Sequence, residues 1–354
     1  FKKNLYYKNT NNLFDERTRL EFYFEINQDK KKIFYLTGPE FVKQNKSEGE
    51  KYFLSGISNV NSLQCNENGY YSIIKNDRFG FNNPDTEWSQ KKISYLLLGD
   101  SFIHGACVNR PNDISSNIRI LSKKTVINLG YSGIGPLSKL AILREYIQPN
   151  TEKILWFHYE GNDFEDLFSE LNNKILVEYF DINYTQNLRN LHYLIDNYHD
   201  DYKFEKLRVD ARNIEIDHNK IFFKVLSFIK LAKTRKIILR NIIPKKTKKF
   251  KEFKEFKEFK KIINLAKIQS EKNNSKLYFI YLPSYSRYKN KVDNTNYENV
   301  KKIISDLDIE FIDIHKEVFI NEKNPLKLFP FGLPGHYNEI GYKRISEKIF
   351  NLLN

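Results

Sequence analysis

The stretch that decides the fold is ISYLLLGDS, residues 93–101, in which an apolar run ends in glycine and small polar residues. A buried parallel strand that ends at a functional loop has this composition. The same pattern recurs in KTVINLGYSG from Lys124 and in EKILWFHYEGND from Glu152. Two helical stretches, PNDISSNIRILSKK and GPLSKLAILREYIQ, separate the three runs. Alternating strands and helices predict a parallel sheet that is covered by helices on both faces.

The alternation continues to the C-terminus after one interruption. Residues 174–262 are Tyr-rich and basic, and we interpret them as a helical insertion. A strand in SKLYFIYLPSYSRY, a helix near 296–306, a strand in IEFIDIH and a closing helix from about Asn338 then follow. We therefore predict an α/β domain over 93–354, preceded by an N-terminal extension of short strands and loops over 1–92.

Composition favours a globular protein. The 354 residues are 40% hydrophobic and 15% aromatic, which is enough for a large core.

Residues 230–261 hold fourteen Lys or Arg against three Glu, and the chain has a net charge of +14. This stretch favours a solvated basic face, and the alternative is contact with an anionic membrane surface through residues 221–261. We read the repeat KFKEFKEFKEFKK within it as a duplication in a solvated helix.

Several classes of function have no support in the sequence. It contains no metal-ligand spacing, no phosphate-binding Walker loop and no dinucleotide-binding glycine pattern, so we predict no cofactor and no metal. The basic stretch lacks a recognised nucleic-acid-binding module, so we expect no nucleic-acid partner.

The candidate chemistry lies where the predicted strands end, because open α/β sheets bind ligands at that edge. Ser101 follows the first strand, next to glycine, and enters a helix. A serine hydroxyl needs a base to become a nucleophile, and His336 in PGHYNEIGY precedes the final helix. An ester carbonyl also needs hydrogen-bond donors for its developing negative charge. We assign these to the N–H groups of Ser101 and Gly130 and to the side-chain amide of Asn162.

Other polar residues near these loops receive simpler interpretations. We expect His104 and His158 to be packed or solvated, with substrate contact as the alternative. Glu160 and Asp163 are expected to cap the following helix, with electrostatic tuning of the site as the alternative. Asp100 is expected to stabilise the loop that holds the serine.

Four motifs in this order resemble the blocks of the SGNH/GDSL hydrolases: GDSF at 99–102, Gly130 in NLG, Asn162 in GND, and His336 near the C-terminus. The resemblance runs from about residue 93 to the C-terminus, without the insertion. It implies a flavodoxin-like three-layer α/β/α sandwich and a serine ester hydrolase. It also implies that Ser101 is the nucleophile, that His336 is the base, and that Ser101, Gly130 and Asn162 form the oxyanion hole.

The sequence departs from the family at two positions. Glu160 stands where the family often has glycine, two residues before Asn162. Leu333 stands where the family usually has aspartate, three residues before His336. We therefore predict that a main-chain carbonyl in the loop 331–334 orients the His336 ring. Two alternatives to an esterase remain: an acyltransferase on a sugar hydroxyl, and an inactive carbohydrate-binding or scaffold protein.

Two further expectations concern the substrate and the compartment. The expected partner is a small molecule or a glycan that carries an ester, and we expect an esterase or deacylase that acts on an acylated glycan or a lipid-linked saccharide. The GYY and GFNNP motifs resemble bacterial SGNH-like proteins that begin with a membrane anchor, so we expect a periplasmic or other extracytoplasmic location, with an anchor before Phe1; the cytoplasm is the alternative. In an exported chain, Cys65 and Cys107 would form a disulfide between the extension and the loop after Ser101.

Overall fold

The structure, a computed structural model, describes residues 1–28, 33–36, 39–42, 49–197, 245–290 and 293–354. Its centre is a sheet of five parallel strands. The strands are β6 (Ile93–Leu98), β7 (Val126–Asn128), β8 (Thr151–Tyr159), β9 (Lys276–Leu282) and β10 (Glu310–Asp313). Their order across the sheet is β7, β6, β8, β9, β10, which is the flavodoxin-like order 2-1-3-4-5.

Helices cover both faces of this sheet. They are α3 (Ser101–His104), α4 (Ile114–Ser122), α5 (Pro136–Tyr146), α6 (Asp163–Glu170), α7 (Lys174–Glu178), α8 (Lys245–Lys272), α9 (Tyr285–Lys289), α10 (Thr295–Asp306), α11 (Ile314–Glu317) and α12 (Glu339–Leu353). Short 3₁₀ helices span Asp85–Ser89, Phe319–Asn321, Pro325–Leu328 and Pro330–Gly332. The predicted α/β class and the five predicted strands are confirmed.

Strand β6 shows why the domain has three layers. All six of its residues are buried, and successive side chains point to opposite faces of the sheet. Leu96 and Leu98 join a core with α5, α8 and α10, whereas Tyr95 and Leu97 join a second core with α4 and α12. A continuous apolar strand is therefore required, because water reaches neither face.

The N-terminal region forms small sheets beside this domain. Strands β1 (Ile33–Tyr35), β4 (Asn61–Leu63) and β5 (Ile73–Lys75) make one sheet, and β2 (Glu40–Val42) pairs with β3 (Lys51–Phe53). Two helices, α1 (Lys2–Thr10) and α2 (Arg19–Gln28), precede them. The predicted short strands are present, whereas the two helices were not predicted. Neither helix has a strong apolar stripe in its sequence, so helical periodicity gave little signal.

The predicted insertion is described only at its two ends. Helix α8 runs beyond the expected boundary at residue 262, and Phe259 is fully buried in the core while Phe256 packs against it. The prediction of a solvated helix was therefore wrong for this end of the Phe repeat. In the segment proposed to contact membranes, residues 221–244 lie outside the described part of the chain. Within the described part of the chain, no helix has the length and hydrophobicity to span a bilayer.

Candidate active site

The serine lies at the point where β6 enters α3. Ser101 is the first residue of the helix, so its N–H has no acceptor within the helix. The Asp100 carboxylate caps the helix by accepting from the Phe102 N–H at 3.0 Å, which confirms its expected role. Gly99 allows this tight turn, because a Cβ there would lie 2.2 Å from Ile103 Cγ1. The backbone thus presents the Ser101 side chain at the carboxyl edge of the sheet.

A histidine from the other end of the chain meets this serine. His336 lies in the loop before α12, and its Nε2 is 2.8 Å from Ser101 Oγ. Asn338 starts α12 by accepting from the Gly341 N–H, which fixes the end of the loop two residues beyond the histidine. The structure therefore brings together the two residues that the sequence assigned as nucleophile and base.

The partner of the other imidazole nitrogen is a carboxylate from the N-terminal region. Glu67 Oε1 lies 3.1 Å from His336 Nδ1, and Glu67 Oε2 accepts the His336 main-chain N–H at 2.6 Å. The prediction of a main-chain carbonyl from 331–334 was wrong. Because the Glu67 carboxylate contacts both the ring and the main-chain N–H of His336, it fixes the orientation of the imidazole.

Glu67 is suited to remain charged in this position. Burial on its own would raise the pKa of its carboxyl group, but the hydrogen bonds and charge of His336 hold that pKa below its ordinary value. A close fit supports the contact, since a Cβ on Gly335 would lie 2.6 Å from Glu67 Oε2. An ionised carboxylate at Nδ1 selects the tautomer whose Nε2 is unprotonated and free to accept the serine proton.

A cavity of about 770 Å³ opens beside the serine and the histidine. Asn162 lines it, and its Nδ2 donates one hydrogen bond to Asp166 Oδ2 at 2.7 Å. A carboxamide has two N–H donors, so one donor is left for a ligand. Burial, followed by the negative charge of Asp163, raises the pKa of Asp166 to about 6.

The Gly130 N–H was predicted to donate to the oxyanion, but in the structure it has an acceptor within the protein. Its N–H donates to Asn128 Oδ1 at 2.8 Å. The lack of a side chain matters for packing, since a Cβ would lie 2.6 Å from both His104 N and Ile103 C. Gly130 therefore lets α3 approach the β7 loop closely, and its N–H already has an acceptor within the protein.

Buried charges lie near the serine loop. Lys139 and Asp163 are fully buried and form an ion pair at 2.6 Å, and Lys139 also donates to the Phe157 carbonyl. Burial alone would raise the pKa of Asp163, but Lys139 and then His158 hold it below its ordinary value. In contrast, burial raises the pKa of Asp100 to about 6. The pair connects α5 with the loop that carries Asn162.

The other polar residues near the predicted loops make contacts within the protein. His104 is buried, its Nδ1 lies 3.0 Å from Ser132 Oγ, and burial lowers its pKa to about 3. Glu160 pairs with Arg287 and accepts from the Ser284 N–H. The expectation that Glu160 and Asp163 cap α6 was wrong, because both carboxylates have these other partners.

The structure also joins Cys65 to Cys107, with an S–S distance of 2.08 Å. Glu67, Cys107 and His336 place potential metal ligands within 4.8 Å of one another. Because Cys107 Sγ is bonded to Cys65, it cannot act as a thiolate ligand, and these three residues do not make a metal site.

Comparisons with known proteins give remote similarity to several solved structures. No family model matches the chain, and no curated protein matches it. Among solved structures, one from Desulfitobacterium hafniense, described as a lipolytic protein of the G-D-S-L family, is 13% identical with a TM-score of 0.39, over 74% of this chain and 99% of that one. An acetyl xylan esterase is 13% identical with a TM-score of 0.42, over 74% and 100%. A Bacillus subtilis protein is 9% identical with a TM-score of 0.39, over 79% and 59%.

Sequence reasoning missed Glu67, although a signal was present. Glu67 lies two residues after Cys65, and the expected disulfide partner of Cys65 is Cys107, in the loop after the serine. The pairing alone would have brought a carboxylate into the neighbourhood of Ser101.

Proposed function

We propose that this protein is a serine ester hydrolase. The observation that carries the proposal is the continuous arrangement of Ser101 Oγ, the His336 imidazole and the Glu67 carboxylate, in which Ser101 and His336 line a cavity. This order of nucleophile, base and orienting acid is the arrangement that activates a hydroxyl group for acyl transfer.

In the first half of the proposed reaction, His336 Nε2 takes the proton of Ser101 as Oγ bonds to the ester carbonyl carbon. The imidazolium that forms is stabilised by the negative charge of Glu67. His336 then gives the proton to the departing alcohol oxygen as the ester C–O bond breaks. The acyl group remains on Ser101 until water, deprotonated by His336, attacks it and restores the serine.

Two donors support stabilisation of the oxyanion. The Ser101 N–H is at the start of α3, and Asn162, whose amide has a second N–H besides the one that Asp166 accepts, lines the cavity. Donors placed before the reaction favour the charge that develops on the carbonyl oxygen. Gly130 has no part in this assignment, because its N–H is bonded to Asn128.

The substrate that we propose is an acylated sugar, within a glycan or a lipid-linked saccharide. The cavity has aromatic walls from Phe102, Tyr159 and Tyr285, together with the polar residues Ser284 and Asn290. Aromatic rings beside hydroxyl and amide groups suit a ligand that has both apolar and polar surfaces. This composition supports the substrate class without selecting one acyl group.

The test is turnover of p-nitrophenyl acetate by the purified chain, with release of free acetate measured in parallel. We expect turnover in the wild type and its loss in Ser101→Ala. Ser169→Ala is the matched control, because Ser169 is an exposed serine on α6 whose hydroxyl donates to the Glu165 carbonyl, and it should retain the rate. Equal rates in the wild type and Ser101→Ala would contradict the proposal. Acetate recovered on an added saccharide, instead of free in solution, would indicate a transferase.

A further inference from the structure

The disulfide joins two segments that each carry part of the proposed active site. Cys65 precedes Glu67 by two residues, and Cys107 follows Ser101 by six. The two cysteines are 42 residues apart in sequence, with their Cα atoms 4.9 Å apart. The bond therefore ties the segment with the acid to the loop that follows the nucleophile.

The sulfur of this bond also contacts the base. Cys107 is fully buried, and its Sγ lies 3.9 Å from His336 Nδ1, the atom that faces Glu67 at 3.1 Å. On the other side of Glu67, Asn68 Nδ2 donates to the Cys107 carbonyl at 2.9 Å. Glu67 is thus held from both sides, by a covalent bond at residue 65 and a hydrogen bond at residue 68.

Other contacts hold the two regions together farther from Glu67. The Ile73 N–H donates to Asn109 Oδ1 at 2.9 Å, and Arg110 donates to the Lys75 carbonyl at 2.8 Å. These bonds do not involve the disulfide, so we expect its loss to loosen residues 65–68 while the N-terminal region stays docked. Because a small displacement of a catalytic group is costly, the effect should fall on the rate before it falls on the fold.

We propose that the Cys65–Cys107 disulfide is a positioning element that keeps Glu67 against His336, so that the oxidised chain is the efficient enzyme. This inference rests on the proposed function. A dithiol reductant cleaves the bond by giving two electrons and two protons, which yields two thiols and the oxidised cyclic reductant. Cys65 is partly exposed, whereas Cys107 is fully buried, so we expect such a reagent to attack on the Cys65 side. The reduced chain keeps Ser101 and His336 but loses the fixed acid.

The experiment compares kcat and KM for p-nitrophenyl acetate in the oxidised chain, the dithiothreitol-reduced chain and the double variant Cys65→Ser/Cys107→Ser. We expect reduction and the double variant each to lower kcat by about tenfold or more, with little change in KM. The double variant should not respond to dithiothreitol. Circular dichroism checks that each form is folded.

The decisive comparison adds Glu67→Gln. If the disulfide acts through Glu67, reduction should lower kcat far less in Glu67→Gln than in the wild type, because the acid is already absent. An equal loss in both backgrounds would overturn the proposal, as would a reduced wild type that keeps its kcat within twofold. Either result would leave the disulfide with a purely structural role.

A spectroscopic measurement separates this inference from the proposed function. In ¹⁵N NMR spectra of the oxidised chain, we expect the proton of neutral His336 on Nδ1, and we expect reduction to move part of the population to the Nε2–H tautomer. This readout does not require turnover. An unchanged tautomer would overturn the positioning role, whereas a tautomer shift in a chain without esterase activity would refute only the proposed function.

Discussion

Replacing Glu67 by glutamine tests the part of the site that the sequence did not disclose. The side chain of Glu67 is 29% exposed, so solvent screens its charge more than that of a fully buried acid. Glutamine can still accept from Nδ1 through its amide oxygen, but it offers no negative charge to the imidazolium. A hydrogen bond to a charged group contributes about 1.5–3 kcal/mol and one between neutral groups about 0.5–1.5 kcal/mol, so the change should cost about 1–1.5 kcal/mol, which corresponds to a roughly 5- to 13-fold lower kcat.

The assay is steady-state hydrolysis of p-nitrophenyl acetate, and KM should change little because Glu67 acts on His336 and not on the ester. Glu339→Gln is the control, since this nearby carboxylate accepts from the Tyr70 hydroxyl at 2.7 Å instead of from His336. It should leave kcat unchanged. A Glu67→Gln enzyme within threefold of the wild-type kcat, in a preparation that Ser101→Ala inactivates, would refute the role of Glu67.

Three further changes probe other parts of the structure. Asn162→Ala should lower kcat about a hundredfold with little loss of stability, since one oxyanion donor is worth about 3 kcal/mol; a threefold effect in steady-state kinetics would remove Asn162 from the site. Lys139→Met should lower the free energy of unfolding in urea by about 3–5 kcal/mol because it removes the cation of a buried ion pair and leaves Asp163 with only His158 and the Tyr159 N–H, and Lys139→Met/Asp163→Asn should recover part of this loss. His104 has a folded pKa of about 3, below its unfolded value, so only the unfolded state gains its proton as the pH falls below about 6.5. As the pH falls below about 6.5, this group therefore lowers the free energy of unfolding by about 1.4 kcal/mol per pH unit. In urea titrations, His104→Gln should show a flatter pH dependence of this free energy than the wild type. Identical slopes would contradict the assignment.

The sequence determined the sheet and two members of the site because those features are local. Residues 93–98 are apolar without interruption, and a glycine and small polar residues follow, so the strand and the loop after it can be read from one short segment. The carboxyl ends of parallel strands meet at one edge, so the sequence alone places Ser101 and Asn162 near each other. His336 followed from the need of a serine for a base.

The Phe repeat shows where local pattern fails. A spacing of three spreads aromatic rings around a helix and gives no clear apolar stripe. Burial of Phe259 depends on α8 continuing into Ile262 and Ile263, which pack on the sheet with α5. The sequence of a helix does not show which other element will cover one of its faces.

Only the tertiary structure decided which acid serves His336. The position three residues before His336 is Leu333, whose side chain cannot accept a hydrogen bond, so a main-chain carbonyl was predicted instead. The acid instead comes from Glu67, 269 residues away, because the disulfide and the Asn68 hydrogen bond place its segment beside the nucleophile loop. Side-chain type and local spacing are properties of a segment, whereas the contact between a carboxylate and an imidazole depends on how distant segments pack. The sequence could therefore name the proposed nucleophile and base, but not the carboxylate that contacts the base.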